Sequence, residues 1–102
     1  MHKMIVLYKA PPRPEQFRDH YENVHLPLVG KMPGLIRMNH SFDVRDPAGN
    51  TAFFCVFEAC FASRQAMADA NASPQGAAVL ADLQNFETGP MDIIDFAVPD
   101  AE

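Results

Sequence analysis

The sequence predicts an α+β domain of the ferredoxin-like kind, ordered β-α-β-β-α-β, with a four-stranded antiparallel sheet carrying its helices on one face. Three observations predict it. Short apolar or alternating runs at 4–9, 35–45, 52–61 and 91–98 read as strands. The stretches after the first and third of these show helical apolar spacing. The 102 residues, 48% of them hydrophobic, suffice for one core, so residues 1–102 are read as a single domain.

Residues 4–9 (MIVLYK) are apolar on both parities and read as a buried strand, broken by Pro11-Pro12. Pro14 suits a first helical turn, with Glu15 near the positive dipole end. Phe17, Tyr21, Val24 and Leu28 step by 4, 3 and 4 and form one inward stripe. Pro27 falls inside that pattern, so the helix is expected to kink or end there. Pro33-Gly34 makes a turn. Residues 35–45 alternate, with Ile36, Met38, His40, Phe42 and Val44 on one face and Arg37, Asn39, Ser41 and Asp43 on the other. Asp46 to Asn50 is a loop of turn formers. Residues 52–61 (AFFCVFEACF) are apolar except for Glu58. Ser63 caps a helix from 64 to about 71, and Ser73, followed by Pro74, caps another. That second helix turns Val79, Leu80, Leu83 and Phe86 inward, and Gly89-Pro90 closes it. Residues 91–98 form the last strand, and a short acidic tail begins at Pro99.

The helices cover one sheet face only. The strand at 52–61 is apolar on both parities: Phe54, Val56 and Cys60 on one, Phe53, Cys55 and Phe57 on the other. Either choice leaves an apolar face uncovered, which a single copy rarely tolerates. A second copy packed sheet to sheet across a two-fold axis solves this, so a homodimer is expected. Val56 is the residue expected to face the partner, which places Arg37, Asn39, Ser41 and Asp43 on the same inner face. Arg37 and Glu58 are expected to pair across adjacent strands.

Eight basic against thirteen acidic residues give a net charge of −5. That excludes the basic stripe of a nucleic-acid binder and argues against an anionic membrane surface. No apolar run approaches the roughly 18 residues of a membrane span. Residues 4–8 are too few for a signal segment, so a cytoplasmic location is expected. Cys55 and Cys60 are five apart, hence on opposite strand faces and unable to bridge. Zinc spacings, an HExxH pair, nucleophile elbows and phosphate-binding glycine loops are all missing, so neither metal nor cofactor is expected.

The chemistry-bearing candidate is His25. It sits four residues after Tyr21, at the edge of the inward stripe. If the helix ends near Pro27, the negative dipole end favours the imidazolium, while burial against Tyr21 favours the neutral ring. A histidine balanced between these effects suits acid/base work near neutral pH. Its neighbour Tyr21 would orient a substrate or donate to a developing oxyanion. Phe17, Met38 and His40 are the expected ligand contacts, although His40 also fits a core position between Met38 and Phe42. His20 lies about 140° from His25 around an α-helix, so the two are not expected to share a face. His20 reads as a surface residue.

Tyr8-Lys9, Pro11-Pro12, Phe17, Tyr21, Asn23, His25, Pro27-Leu28 and Met32-Pro33-Gly34-Leu35 together resemble the EthD family of the dimeric α/β-barrel superfamily. The motif covers roughly the first 45 residues; the rest of the chain agrees in length and element order. The resemblance implies two ferredoxin-like subunits with facing sheets. The family's namesake is associated with a gene cluster for degrading ethyl tert-butyl ether, beside an oxygenase system. The wider superfamily includes cofactor-independent monooxygenases, polyketide cyclases, lactone isomerases and haem-degrading enzymes. The last of these use an Asn, a Trp and a His, and this chain has no Trp.

The reading is therefore a small dimeric protein that binds an apolar organic molecule between the sheet and the first helix. His25 and Tyr21 would serve isomerisation, cyclisation, dehydration or cofactor-independent oxygenation in catabolic or secondary metabolism. The competing reading is a non-catalytic metabolite-binding accessory to a larger oxygenase system.

Overall fold

The computed structural model describes residues 1–50 and 52–99. The acidic residues expected after Pro99 lie at 100–102, outside the described residues. The chain runs β1 (His2–Tyr8), α1 (Pro14–His20), a π-helical turn (Tyr21–His25), α2 (Leu26–Val29), β2 (Arg37–Ser41), β3 (Cys55–Phe61), α3 (Arg64–Ala72), α4 (Pro74–Asp82) and β4 (Met91–Ala97). The sheet order is β2-β3-β1-β4, every neighbouring pair antiparallel. This is the expected α+β ferredoxin-like architecture.

Register assigns the faces. Tyr8 pairs with Cys55 and Met91, and Val6 with Phe57 and Ile93. That parity faces the helices, and it buries Val6, Tyr8, Cys55, Phe57, Ala59 and Phe61. The other parity carries Lys3, Ile5, Leu7, Val56, Glu58, Ile94 and Phe96, and no helix covers it. Val56 is thus on the open side, as expected, with Arg37, Asn39 and Ser41 beside it. Phe54, expected on that side too, precedes the strand and packs edge-on to Phe17, 5.4 Å away on the helix side. Glu58 pairs with Lys3 at 3.2 Å and not with Arg37, although the register sets both cations opposite Cys60, one on each side of β3. Cys55 and Cys60 are both buried and free, on opposite faces.

The first helix departs from expectation in an informative way. It continues past Pro27, and residues 14–29 form one helical rod. The Leu26 N–H reaches back five residues to the Tyr21 carbonyl, which widens the turn. Pro27 then sits in the first turn of α2, where its missing N–H costs little. The wide turn advances the inward stripe by one residue. Val24 ends up exposed and Leu28 half-buried, while His25, Leu26 and Val29 are buried.

The later helices begin as predicted. Ser63 Oγ accepts the Ala66 N–H at 3.0 Å, and Ser73 Oγ accepts the Gly76 N–H at 3.0 Å. Gly76 packs so closely on α3 that any Cβ there would collide with the backbone oxygens of Ala70 and Asn71. This contact brings α4 against α3. Helix α4 ends at Asp82, well before Gly89, since Leu83, Gln84 and Asn85 bond three residues back in tight turns. Leu80, expected inward, is 69% exposed. On the opposite flank His2 is buried and bonds Asp95 at 2.7 Å, holding β4 to β1. Among the described residues no helix is long and apolar enough to cross a membrane.

Candidate functional site

A cavity of about 270 Å³ lies between the sheet and the helices. The sheet supplies Val6, Tyr8, Phe57 and Met91 to its wall; the helices supply Tyr21, His25, Val29 and Val79. Leu80 and Ile93, 69% and 58% exposed, also line it, so the cavity opens to solvent beside them. Its surface is mostly apolar, with the polar groups of Tyr8, Tyr21, His25 and Asn71 set among the apolar side chains.

Those polar groups form a connected row. The Tyr21 ring stacks on His25 at 5.5 Å and meets Tyr8 edge-on at 5.4 Å. The Tyr8 and Tyr21 hydroxyls and the Cys55 thiol lie in one buried cluster and influence one another electrostatically. Burial pushes the Tyr8 phenol up to about 12, the Tyr21 phenol higher still, and the Cys55 thiol to about 12. All three therefore stay protonated at neutral pH, and the hydroxyls act as donors.

The π-helical turn places His25 here. Its ring is 5% exposed and its Nδ1–H donates to Asp82 Oδ2 at 2.9 Å. Nε2 has no protein partner, and among the described residues no buried side-chain nitrogen or oxygen lacks one. Nε2 is therefore open, and the cavity is what the ring lines. Burial lowers the His25 pKa from its ordinary 6.5, and this outweighs the opposing pull of Asp82. The resting ring is neutral, with its proton on Nδ1 and a lone pair on Nε2. The helix-end dipole expected to favour the cation is absent, because the rod runs on to Val29; Asp82 takes its place.

Asp82 is 4% exposed and stands at the last residue of α4, the end of a helix dipole least favourable to an anion. Burial pushes its pKa up, yet three donors outweigh that and leave it lowered. These are Asn85 Nδ2 at 3.0 Å, His25 Nδ1 at 2.9 Å and His20 Nε2 at 2.9 Å. His20 also reaches Oδ1 at 3.0 Å. The separation of His20 and His25 inferred from α-helical geometry is thus corrected. A hydrogen bond spanning five residues brings positions five apart onto one side. Phe86 packs on both rings, stacked on His20 at 4.5 Å and tilted against His25 at 5.3 Å.

Of the residues expected at the site, Tyr21 and His25 meet in the cavity wall. Phe17 is buried behind Tyr21, stacked on it at 5.2 Å. Met38 is half-buried on β2, and His40 is exposed on the same strand, 3.5 Å from Glu22 and edge-on to Tyr21. None of these three is part of the cavity lining. Sequence reasoning missed Tyr8 and Asp82. Both carried a signal: Tyr8 shares parity with Val6, and Asp82 falls three residues after Val79 on an inward stripe, where a carboxylate needs partners. Among the described residues no group of three or more ligating side chains is arranged to hold a metal ion.

The EthD domain model matches residues 9–89. The chain belongs to the EthD family. An EthD-family protein from Bacillus halodurans, known from a crystal structure, superimposes with a TM-score of 0.88 at 28% identity, covering 97% of this chain and 99% of that one. A curated relative from Rhodococcus erythropolis, an uncharacterized 11.0 kDa protein of the thcB-thcC intergenic region, is 29% identical over 98 residues, spanning 92% of this chain and 91% of its own. A dimeric ferredoxin-like protein of unknown function from Bacteroides fragilis shares the fold, with a TM-score of 0.68 at 14% identity over 95% of each chain.

Proposed function

We propose that this EthD-family protein binds a small apolar organic molecule in the cavity and performs proton transfer on it, with His25 as the base. One observation carries the reading: an imidazole that lines an apolar cavity is held through Nδ1 by a buried carboxylate, and its Nε2 has no protein partner. In such surroundings the base stays unprotonated at rest, and Asp82 stabilises the imidazolium formed when it accepts a proton. The Tyr8 and Tyr21 hydroxyls stand in the same row and donate to the oxygen on which negative charge develops. Nε2 takes the proton, the electron pair moves toward that oxygen, and the proton returns at the same or another atom. Isomerisation, cyclisation and dehydration all use these steps. The working form is a cytoplasmic homodimer joined through the open sheet face, a reading supported by the uncovered Ile94 and Phe96 and by the dimeric relative of the same fold.

The test is a melting-temperature screen with uncharged one- and two-ring ketones and phenols. Compounds that stabilise the wild type should not stabilise Val79→Trp, whose indole fills the cavity. They should still bind His25→Ala while losing any conversion seen with the wild type. Conversion by His25→Ala at the wild-type rate would remove the base assignment and leave a metabolite carrier.

A further inference from the structure

We propose that His20 is a positioning residue that shares Asp82 with His25, so the one carboxylate compensates at most one imidazolium at a time and the cavity base is coupled to a histidine nearer the protein surface. This rests on the reading of His25 as the base.

The geometry is a single carboxylate between two imidazoles. His20 Nε2 and His25 Nδ1 both lie 2.9 Å from Asp82 Oδ2. One buried carboxylate compensates one cation; a second cation on the same oxygen is uncompensated and costly. The two rings differ in access to water, His20 being 22% exposed and His25 5%. A charge carried by the pair is therefore better solvated on His20 than on His25.

The surroundings support this assignment. His20 opens on a surface cleft shared with Arg13, Glu15, Asp19, Asn85 and Glu87. Arg13 and Glu87 already pair with each other at 2.7 Å, and Asp19 accepts from Asn23. Asp82 is thus the carboxylate that His20 itself bonds. On the cavity side the only other titratable groups facing His25, among the described residues, are the Tyr8 and Tyr21 hydroxyls, both protonated.

The consequence for turnover is a proton exchange without transfer through Asp82. When His25 Nε2 gains a proton from the ligand, Asp82 compensates the new imidazolium. A charge on His20 would then be surplus, and its ring nitrogen remote from Asp82 would release a proton to water in the cleft. One proton is gained at His25 and one is lost at His20, and the cluster's net charge is unchanged. The reverse exchange accompanies return of the proton to the ligand.

Histidine NMR titration of the full chain tests this without a ligand. In the wild type the His25 ring signal should follow two steps, because it senses both protonations. In His20→Gln and in His20→Phe, which keeps an aromatic ring against Phe86, it should follow one step, moved upward by about 1 pH unit. A merely structural His20 would change the melting temperature and leave the His25 titration where it was. That outcome in both variants overturns the coupling, while the ligand-conversion test of His25 stands apart from it.

Discussion

The two faces of the sheet are built from alternate residues of the same strands, yet they have opposite fates. On the helix side, Tyr8, Cys55, Phe57 and Phe61 are buried, and among the described residues no fully buried side-chain nitrogen or oxygen lacks a partner. On the other side, Leu7 and Val56 are only half-buried, Ile94 and Phe96 are exposed, and a Lys3–Glu58 pair sits among them. The helix side uses polar groups sparingly and gathers several of them at the cavity wall. The open side has a mixed apolar and charged character, the kind of surface the proposed dimer would cover.

This contrast makes the helix side sensitive to loss of single partners and the open side tolerant of them within one copy. The largest effect is expected from Asp82→Ala. It strips the acceptor from two imidazole N–H groups at roughly 1–3 kcal/mol each, so urea unfolding should show a loss of about 3 kcal/mol. His25→Ala follows at about 1–3 kcal/mol. His25 is buried and bonded to Asp82, so its loss is felt in stability as well as in the site. Tyr21→Phe removes one hydroxyl and keeps the stacked ring, and should cost about 1 kcal/mol. Val56→Lys should change the stability of a single copy by less than any of these, while sedimentation should show dissociation or aggregation of the dimer. A Val56→Lys protein that remains a tight dimer would break the distinction between the faces.

The helix side should also be the pH-sensitive one. His25 binds a proton less readily folded than unfolded, so its contribution is present above its unfolded pKa of about 6.5 and is lost as pH falls toward its lowered folded value. Asp82, also lowered, adds a second loss on further acidification through the carboxylate range. Melting temperature should therefore decline below about pH 6.5 in the wild type. In His25→Gln this first decline should be reduced.

The sheet was legible in the sequence because strand parity is a local property. Alternation at Arg37 to Ser41 and the two-sided apolar run around Cys55 each specify what the pleat must do. Ser63 and Ser73 declared their helices through side chains that bond within a turn. The site was only half legible. The helical stripe from Phe17 to Tyr21 was correct, and then the i+5 bond at Leu26 moved it from Val24 and Leu28 to His25 and Val29. Nothing in a periodicity of 3.6 announces that change, although Pro27 marked the place where the α pattern is in difficulty. Asp82 reaches His25 across 57 residues, so its role depends on how α4 packs, which local spacing does not encode.

The central claim is that burial keeps His25 neutral while Asp82 fixes its proton on Nδ1, leaving Nε2 bare. The most direct measurement is the nitrogen chemical shifts of His25 at about pH 7.5, recorded for the wild type and Asp82→Asn. The wild type should show a protonated Nδ1 and an unprotonated Nε2, a preference that Asp82→Asn should lose. A His25 carrying its proton on Nε2, or one unaffected by the loss of the carboxylate, would contradict the account.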